Sequence, residues 1–289
     1  MALAEKPSIL LTFDVEDWFQ VENFKSYIPF STWNSFELRV ERNTFKILDL
    51  LDSFSFKPRA TFFVLGWIAQ RCPQLVMEIS NRGHEVASHG YGHDLCPQME
   101  PPLLIHDLKA SKAMLEEITG KQVTGYRAPS FSINNEVLGL IRDAGYLYDS
   151  SFNSFSGHGR YGSLDLSSAI KKQGLYEVGH GFFELPVSNL FLFNHILPLG
   201  GGGYFRLLPF PIFKHGINAV LNEEKAFVFY AHPWEFDPDQ PRVEQASPWF
   251  KFRHYINLGR TEKKLNALIN TFSEEKFQTI DAHITSLSH

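Results

Sequence analysis

Short apolar runs alternate along the chain with longer segments whose apolar residues recur every three or four positions. The runs at 9–13, 60–64, 85–88, 125–127, 146–148, 183–187, 227–231 and 277–280 are too short for helices and read as strands. Between them the period lengthens. Asn43 or Thr44 is placed to cap a helix with Ile47, Leu48, Leu50 and Leu51 on one face, and Pro73 opens another that buries Leu75, Val76 and Ile79 and ends at Gly83. Segments 103–118, 134–143 and 262–272 complete the helical set, the first two stopping at Gly120 and Gly145.

Strands alternating with helices imply a mainly parallel sheet, either a closed barrel or an open doubly wound sheet. The polar residues decide between them. Asp14, His89, Arg127, Asp149 and His232 each fall at or just after the C-terminal end of a strand. In a barrel of parallel strands those ends converge on one mouth, whereas an open sheet spreads them along an edge. The pattern therefore predicts a barrel. Two stretches break the rhythm: 153–173, rich in Ser and Gly, reads as a surface loop. Residues 233–259 read as an ordered excursion whose Trp234, Phe236, Trp249, Phe250 and Phe252 require burial.

The length of 289 residues suits one α/β barrel, typically about 250 residues, so 1–289 is expected to be a single domain with a C-terminal extension from about 233. A net charge of −5, with no long run of either sign, excludes a nucleic-acid binder that needs a basic surface. Cys72 and Cys96 form no closely spaced pair, so a disulfide framework is not expected. Residues 1–7 carry no apolar core of a signal peptide, and no stretch approaches the ~20 apolar residues of a membrane span. The expectation is a cytoplasmic chain with no membrane span.

Four local patterns carry chemistry. His89 and His93, four apart at a strand end, bring two imidazoles to one metal ion if the segment turns like a helix. Asp14, Glu16 and Asp17 gather three acids beside an apolar strand, which is costly unless something positive compensates. One of them completes a His-His-carboxylate site while another stays free to take a proton. Arg127 is placed to pair with a carboxylate and hold it ionised. His232 is the natural proton donor to a departing amine, with Asp149 positioned to hold its ring and raise its pKa. Gly200 to Gly203 lack the Lys-Ser/Thr of a phosphate loop and read as a loop over the cleft carrying Tyr204 and Arg206 toward substrate. Trp18, Tyr91 and Trp234, with Pro129 beside Arg127, complete the expected substrate-binding set, the aromatic rings stacking on sugar.

Thr12-Phe13-Asp14, the His89/His93 pair, Arg127-Ala128-Pro129, Asp149-Ser150-Ser151 and Ala231-His232-Pro233, in this order, resemble the ordered motifs of the polysaccharide deacetylase (NodB-homology) family of carbohydrate esterases. The tail from His232 through Tyr255, with Gly201 to Arg206, further resembles the subgroup encoded with bacterial exopolysaccharide and lipopolysaccharide assembly genes. The resemblance implies a distorted, TIM-like (β/α) barrel of seven or eight strands. It also implies hydrolysis of N-acetyl groups from an N-acetylated saccharide, with one divalent ion, zinc or similar. By position, Asp14 resembles the general base, Arg127 its partner, His89 and His93 the metal ligands, and His232 the general acid. The chain departs from the pattern at Val15, where many members carry the metal-binding aspartate. Glu16, favoured by strand alternation, and Asp17 are the candidates for the third ligand. An allantoinase-like amidohydrolase acting on a small amide and a non-catalytic carbohydrate-binding barrel are the competing readings. The sugar, its linkage and the oligomeric state are left open.

Overall fold

The computed structural model describes residues 6–155, 161–179, 181–192 and 195–287, so the N-terminal residues 1–5 and residues 156–160 of the expected loop lie outside the described residues. The strands in chain order are β1 (Ser8–Val15), β2 (Ala60–Val64), β3 (Glu85–Ser88), β4 (Gly125–Tyr126), β5 (Tyr148–Asp149), β6 (Ile170–Lys172), β7 (Leu175–Gly179), β8 (Phe182–Glu184), β9 (Leu190–Leu192), β10 (His195–Leu197), β11 (Ala226–Ala231) and β12 (Lys276–Phe277). The helices are α1 (Val40–Asp52), α2 (Gly66–Arg71), α3 (Pro73–Asn81), α4 (Pro101–Thr119), α5 (Asn135–Asp143), α6 (Gly202–Leu207), α7 (Phe210–Glu224), α8 (Pro248–Tyr255), α9 (Thr261–Thr271) and α10 (Ile280–Leu287). None of the described helices is long and apolar enough to cross a membrane.

The main sheet runs β11-β1-β2-β3-β4-β5-β8-β7-β6, parallel from β11 to β8 and antiparallel through β7 and β6. It is curled. Arg127, just past β4, donates to Thr12 and Asp14 on β1 at 2.7 and 2.8 Å. In a flat sheet those strands stand three spacings apart, roughly 14 Å, beyond the reach of one side chain. The seam between β8 and β11 is bridged rather than laddered. Ser188 Oγ accepts from Val228 N at 2.8 Å, Gly200 N donates to Ser188 O at 2.8 Å, and Tyr230 N donates to Gly200 O at 2.7 Å. This is a distorted (β/α) barrel of seven parallel strands.

Alternation along β1 sorts its side chains. Ile9, Leu11, Phe13 and Val15 face the helices, and Leu10 joins Phe63, Ala87, Tyr148 and Val228 in a smaller inner core. Thr12 and Asp14 continue the inward row, so strand geometry delivers the polar residues to the barrel mouth.

Three expectations are corrected. Helix α1 begins at Val40, before Asn43 and Thr44, because the Asp17 carboxylate accepts from Arg39 N and Val40 N at 2.6 and 2.8 Å and caps it from 22 residues away. The final run splits: β12 ends at Phe277, and α10 sends Ile280, Ile284 and Leu287, at helical spacing, into the inner core. Within 233–259, Trp234 and Phe236 are buried, but Trp249 and Phe252 are 62% and 49% exposed.

Candidate active site

β1 ends in a tight turn, Glu16 N donating to Asp14 O at 3.0 Å, which sets two buried carboxylates side by side. Asp14 Oδ1 accepts from Arg127 Nη1 at 2.8 Å, and Oδ2 lies 3.9 Å from His232 Nε2. Glu16 Oε1 accepts from Trp234 Nε1 at 3.2 Å, and Oε2 faces His93 Nε2 at 2.9 Å. Burial opposes ionisation of Glu16, but His93, His232 and His89 together outweigh it and hold its carboxyl well below the usual range. Asp17 turns away. Its Oδ1 accepts from Trp18 N while Oδ2 caps α1, so the alternative of Asp17 as third ligand is corrected to a structural role.

The two histidines meet without a helical turn. After β3 the chain passes through Gly90 at φ +69° and His93 at φ +57°, left-handed conformations that fold the segment back on itself. The ring centroids lie 5.5 Å apart. His89 Nδ1 donates to the Arg127 carbonyl at 2.7 Å, leaving Nε2 with a free lone pair, and burial lowers its pKa to about 4. Among the described residues, Glu16, His89 and His93 form a group whose ligand atoms all lie within 4.8 Å of one another. Glu16 Oε2 is buried 2.9 Å from His93 Nε2 and accepts from no other group. Two imidazole nitrogens and a buried carboxylate oxygen converging on one point fit a divalent cation.

Arg127 is fully buried and makes four hydrogen bonds. Nη1 serves Thr12 Oγ1 and Asp14, Nε and Nη2 serve the Ser150 carbonyl and hydroxyl at 2.9 Å each, and the guanidinium lies 4.1 Å over the Phe63 ring. Asp149 does not hold His232. It accepts from Ser151 Oγ and N at 2.6 and 3.1 Å and is hydrogen-bonded to Glu184. Burial pushes both carboxyls of that pair up, Glu184 well above its usual value, because two adjacent buried acids cannot both ionise.

Glu235 takes the place expected for Asp149. Its Oε1 lies 2.9 Å from His232 Nδ1 and also accepts from His232 N at 3.1 Å. Its Oε2 accepts from Arg206 Nε at 2.6 Å. Burial disfavours the His232 imidazolium, yet Glu16, Glu235 and Asp14 overcome this and raise its pKa to about 9. The ring stacks on Trp234 at 5.0 Å, and Trp234 stacks in turn on His254 at 4.1 Å.

The glycine quartet acts through close packing. A Cβ on Gly200 would lie 2.6 Å from Val228 O, and one on Gly202 would lie 2.2 Å from Glu235 Oε1. Only bare backbone lets α6 approach the seam and Glu235 together.

Several expected substrate residues are corrected by these contacts. Arg206 is 3% exposed and spent on Glu235 and on the carbonyls of Arg253, His254 and Ile256. Both faces of Trp234 are covered, so only its edge reaches the cleft. Trp18 packs in the core against Phe19 and Phe36. Tyr91 donates to Gln70 Oε1 at 2.7 Å, and neither Tyr91 nor buried Pro129 lines the cleft. Tyr204 does line it. The cleft, a cavity of about 190 Å³, lies over Asp14, Glu16, His89 and His93, and its walls include Phe131, Tyr230, Trp249 and Phe252. Glu235 was missed although it stands three residues after His232, the spacing at which a side chain reaches back to the turn's first N–H. The cleft aromatics carried no local sign.

Residues 3–148 match the model of the polysaccharide deacetylase family, and 150–284 match a domain of unknown function, DUF3473. A peptidoglycan deacetylase-like protein of Gibberella zeae is 33% identical over 39% of this chain and 32% of its own length. A peptidoglycan-N-acetylglucosamine deacetylase of Bacillus cereus is 33% identical over 35% of this chain and 46% of its own. The chain thus spans about a third to a half of the length of these relatives. The crystal structure of a Mycobacterium smegmatis protein assigned to the polysaccharide deacetylases superposes with a TM-score of 0.64 at 20% identity, covering 99% of this chain and 92% of that one, and so shares its fold. With the family model spanning half of the chain, and the paired histidines and the acid at the end of β1 meeting within it, this chain belongs to the polysaccharide deacetylase family.

Proposed function

We propose that the cleft hydrolyses the N-acetyl group of an amino sugar in a bacterial surface polysaccharide or its precursor, with one divalent ion, best zinc, held by Glu16, His89 and His93. The observation that carries this reading is the position of Asp14 and His232 Nε2, 3.9 Å apart, on the rim of the three-donor cluster. When bound, zinc polarises the acetamide carbonyl and makes water easier to deprotonate.

The chain's own residues do the rest. Asp14 takes the proton of the attacking water, and Arg127, fixed by Ser150, holds its carboxylate in position. His232 enters the reaction protonated and delivers a proton from Nε2 to the leaving nitrogen, without which the amine cannot depart. Glu235 fixes the ring by accepting from Nδ1, and Arg206 fixes Glu235. Acetate and a free amine are the products. The names of the relatives, peptidoglycan deacetylases, support an acetylated glycan as the substrate class.

Chelator-treated protein should release no acetate from N-acetylated oligosaccharides and regain activity on one equivalent of zinc. Titration of zinc into the stripped protein should give a stoichiometry of one that Glu16→Gln abolishes. Full acetate release by the stripped protein would refute the reading.

A further inference from the structure

Trp249 and Phe252 stand three residues apart on α8 with their rings facing at 5.9 Å and 19°, and both remain largely exposed. They line the same cleft as Asp14, His89 and His232. Helix α8 is not a loose flap. Ser247 caps its start, accepting from Phe250 N at 3.3 Å, and Arg206 gathers the carbonyls of its last turn while gripping Glu235. His254, on its buried side, stacks on Trp234. The exposed ring pair is therefore held in fixed register with the catalytic imidazole.

We propose that Trp249 and Phe252 form a stacking subsite for the sugar next to the one that carries the acetamido group. The inference rests on the deacetylase reading of the cleft. A pyranose presents a face of C–H groups rimmed by hydroxyls, which an aromatic ring covers while the hydroxyls keep their water. Rigid aromatic rings lose little conformational freedom on binding. Tyr204 and Arg253 also line the cleft and give it polar edges suited to a saccharide and not to an acyl chain.

The test titrates zinc-loaded Asp14→Asn protein with N-acetylglucosamine and its β-1,4 oligomers up to the hexamer, following Trp emission in parallel. Wild-type KM for each oligomer provides a second measure. Affinity should rise about tenfold on adding the second sugar. Trp249→Ala should abolish that increment and Trp249→Phe keep most of it. Ile212→Ala, an exposed apolar side chain outside the cleft, should leave it intact. An increment that survives Trp249→Ala, or affinity independent of length, overturns the subsite even if acetate is released. Length-dependent binding that Trp249→Ala removes sustains the subsite even if no acetate is released and the hydrolase reading fails. Binding to phosphatidylglycerol vesicles that Trp249→Ala abolishes, with no length dependence for saccharides, overturns it in favour of a membrane-docking face.

Discussion

Glu235 Oε1 lies 2.9 Å from Nδ1 of His232, and the same carboxylate is anchored through Oε2 to the buried guanidinium of Arg206. Burial opposes ionisation of Glu235, but Arg206 and His232 outweigh it and keep its carboxyl below the usual range. Glu16, then Glu235 and Asp14, raise the pKa of His232 to about 9 against the cost of burial, so its imidazolium is present at neutral pH and lost as pH rises through that value.

Glu235→Gln should therefore move the alkaline limb of the kcat profile to lower pH and reduce kcat more than it raises KM. It also leaves Arg206 without its carboxylate, a loss of about 3 kcal/mol for a broken buried pair, visible as a lower Tm. A profile superimposable on wild type would remove Glu235 from the proton-transfer apparatus.

Asp17 and Glu16, neighbours in sequence, should fail in different ways. Asp17→Ala removes the cap of α1 and should cost about 1–2 kcal/mol while zinc binding persists. Glu16→Gln should abolish zinc binding and leave α1 capped. Denaturant melts paired with metal titration on both variants distinguish the roles, and the reverse outcome would make Asp17 the ligand.

Burial raises both carboxyls of the Asp149–Glu184 pair, and repulsion from Asp149 raises Glu184 further, which favours a proton shared between them. Glu184→Gln keeps a hydrogen-bond donor in place of the acid and should change stability by less than about 1 kcal/mol with activity retained. A loss of several kcal/mol would mean that the pair is ionised.

His84 is buried against β2, its ring edge-on to Phe62 and its Nδ1 accepting from Ala60 N, and burial lowers its pKa from 6.5 to about 4. Between those values the unfolded chain binds the proton and the fold does not. The associated stability, on the order of 3 kcal/mol, is thus complete above pH 6.5 and lost as pH falls toward 4. His84→Gln should flatten the denaturation free energy over that window, and an unchanged acid slope would assign it to other groups.

What could be read from residue patterns follows the range of the forces involved. The apolar runs at 9–13, 60–64 and 227–231 are written locally, and the strands that place Asp14 and His232 at the mouth are found there. The Asp17 cap, the Arg206–Glu235 pair and the seam closed at Gly200 join residues far apart in the chain, and no local period encodes them. The run at 277–280 reads as one strand because so short a segment carries no helical period, and packing inside the barrel starts a helix at Ile280 instead. Trp249 and Phe252 went wrong for a different reason. Large apolar side chains are expected in the core, and at a cleft wall that default fails.

The measurement that bears most directly on the central claim compares wild-type and Asp14→Asn protein, each assayed in one sample for bound zinc and for acetate released from an N-acetylated oligosaccharide. The account predicts about one ion per chain in both, with acetate release lowered in the variant by at least about a hundredfold. Acetate release by Asp14→Asn at the wild-type rate, or wild-type protein that binds no ion under zinc-replete conditions, would contradict it.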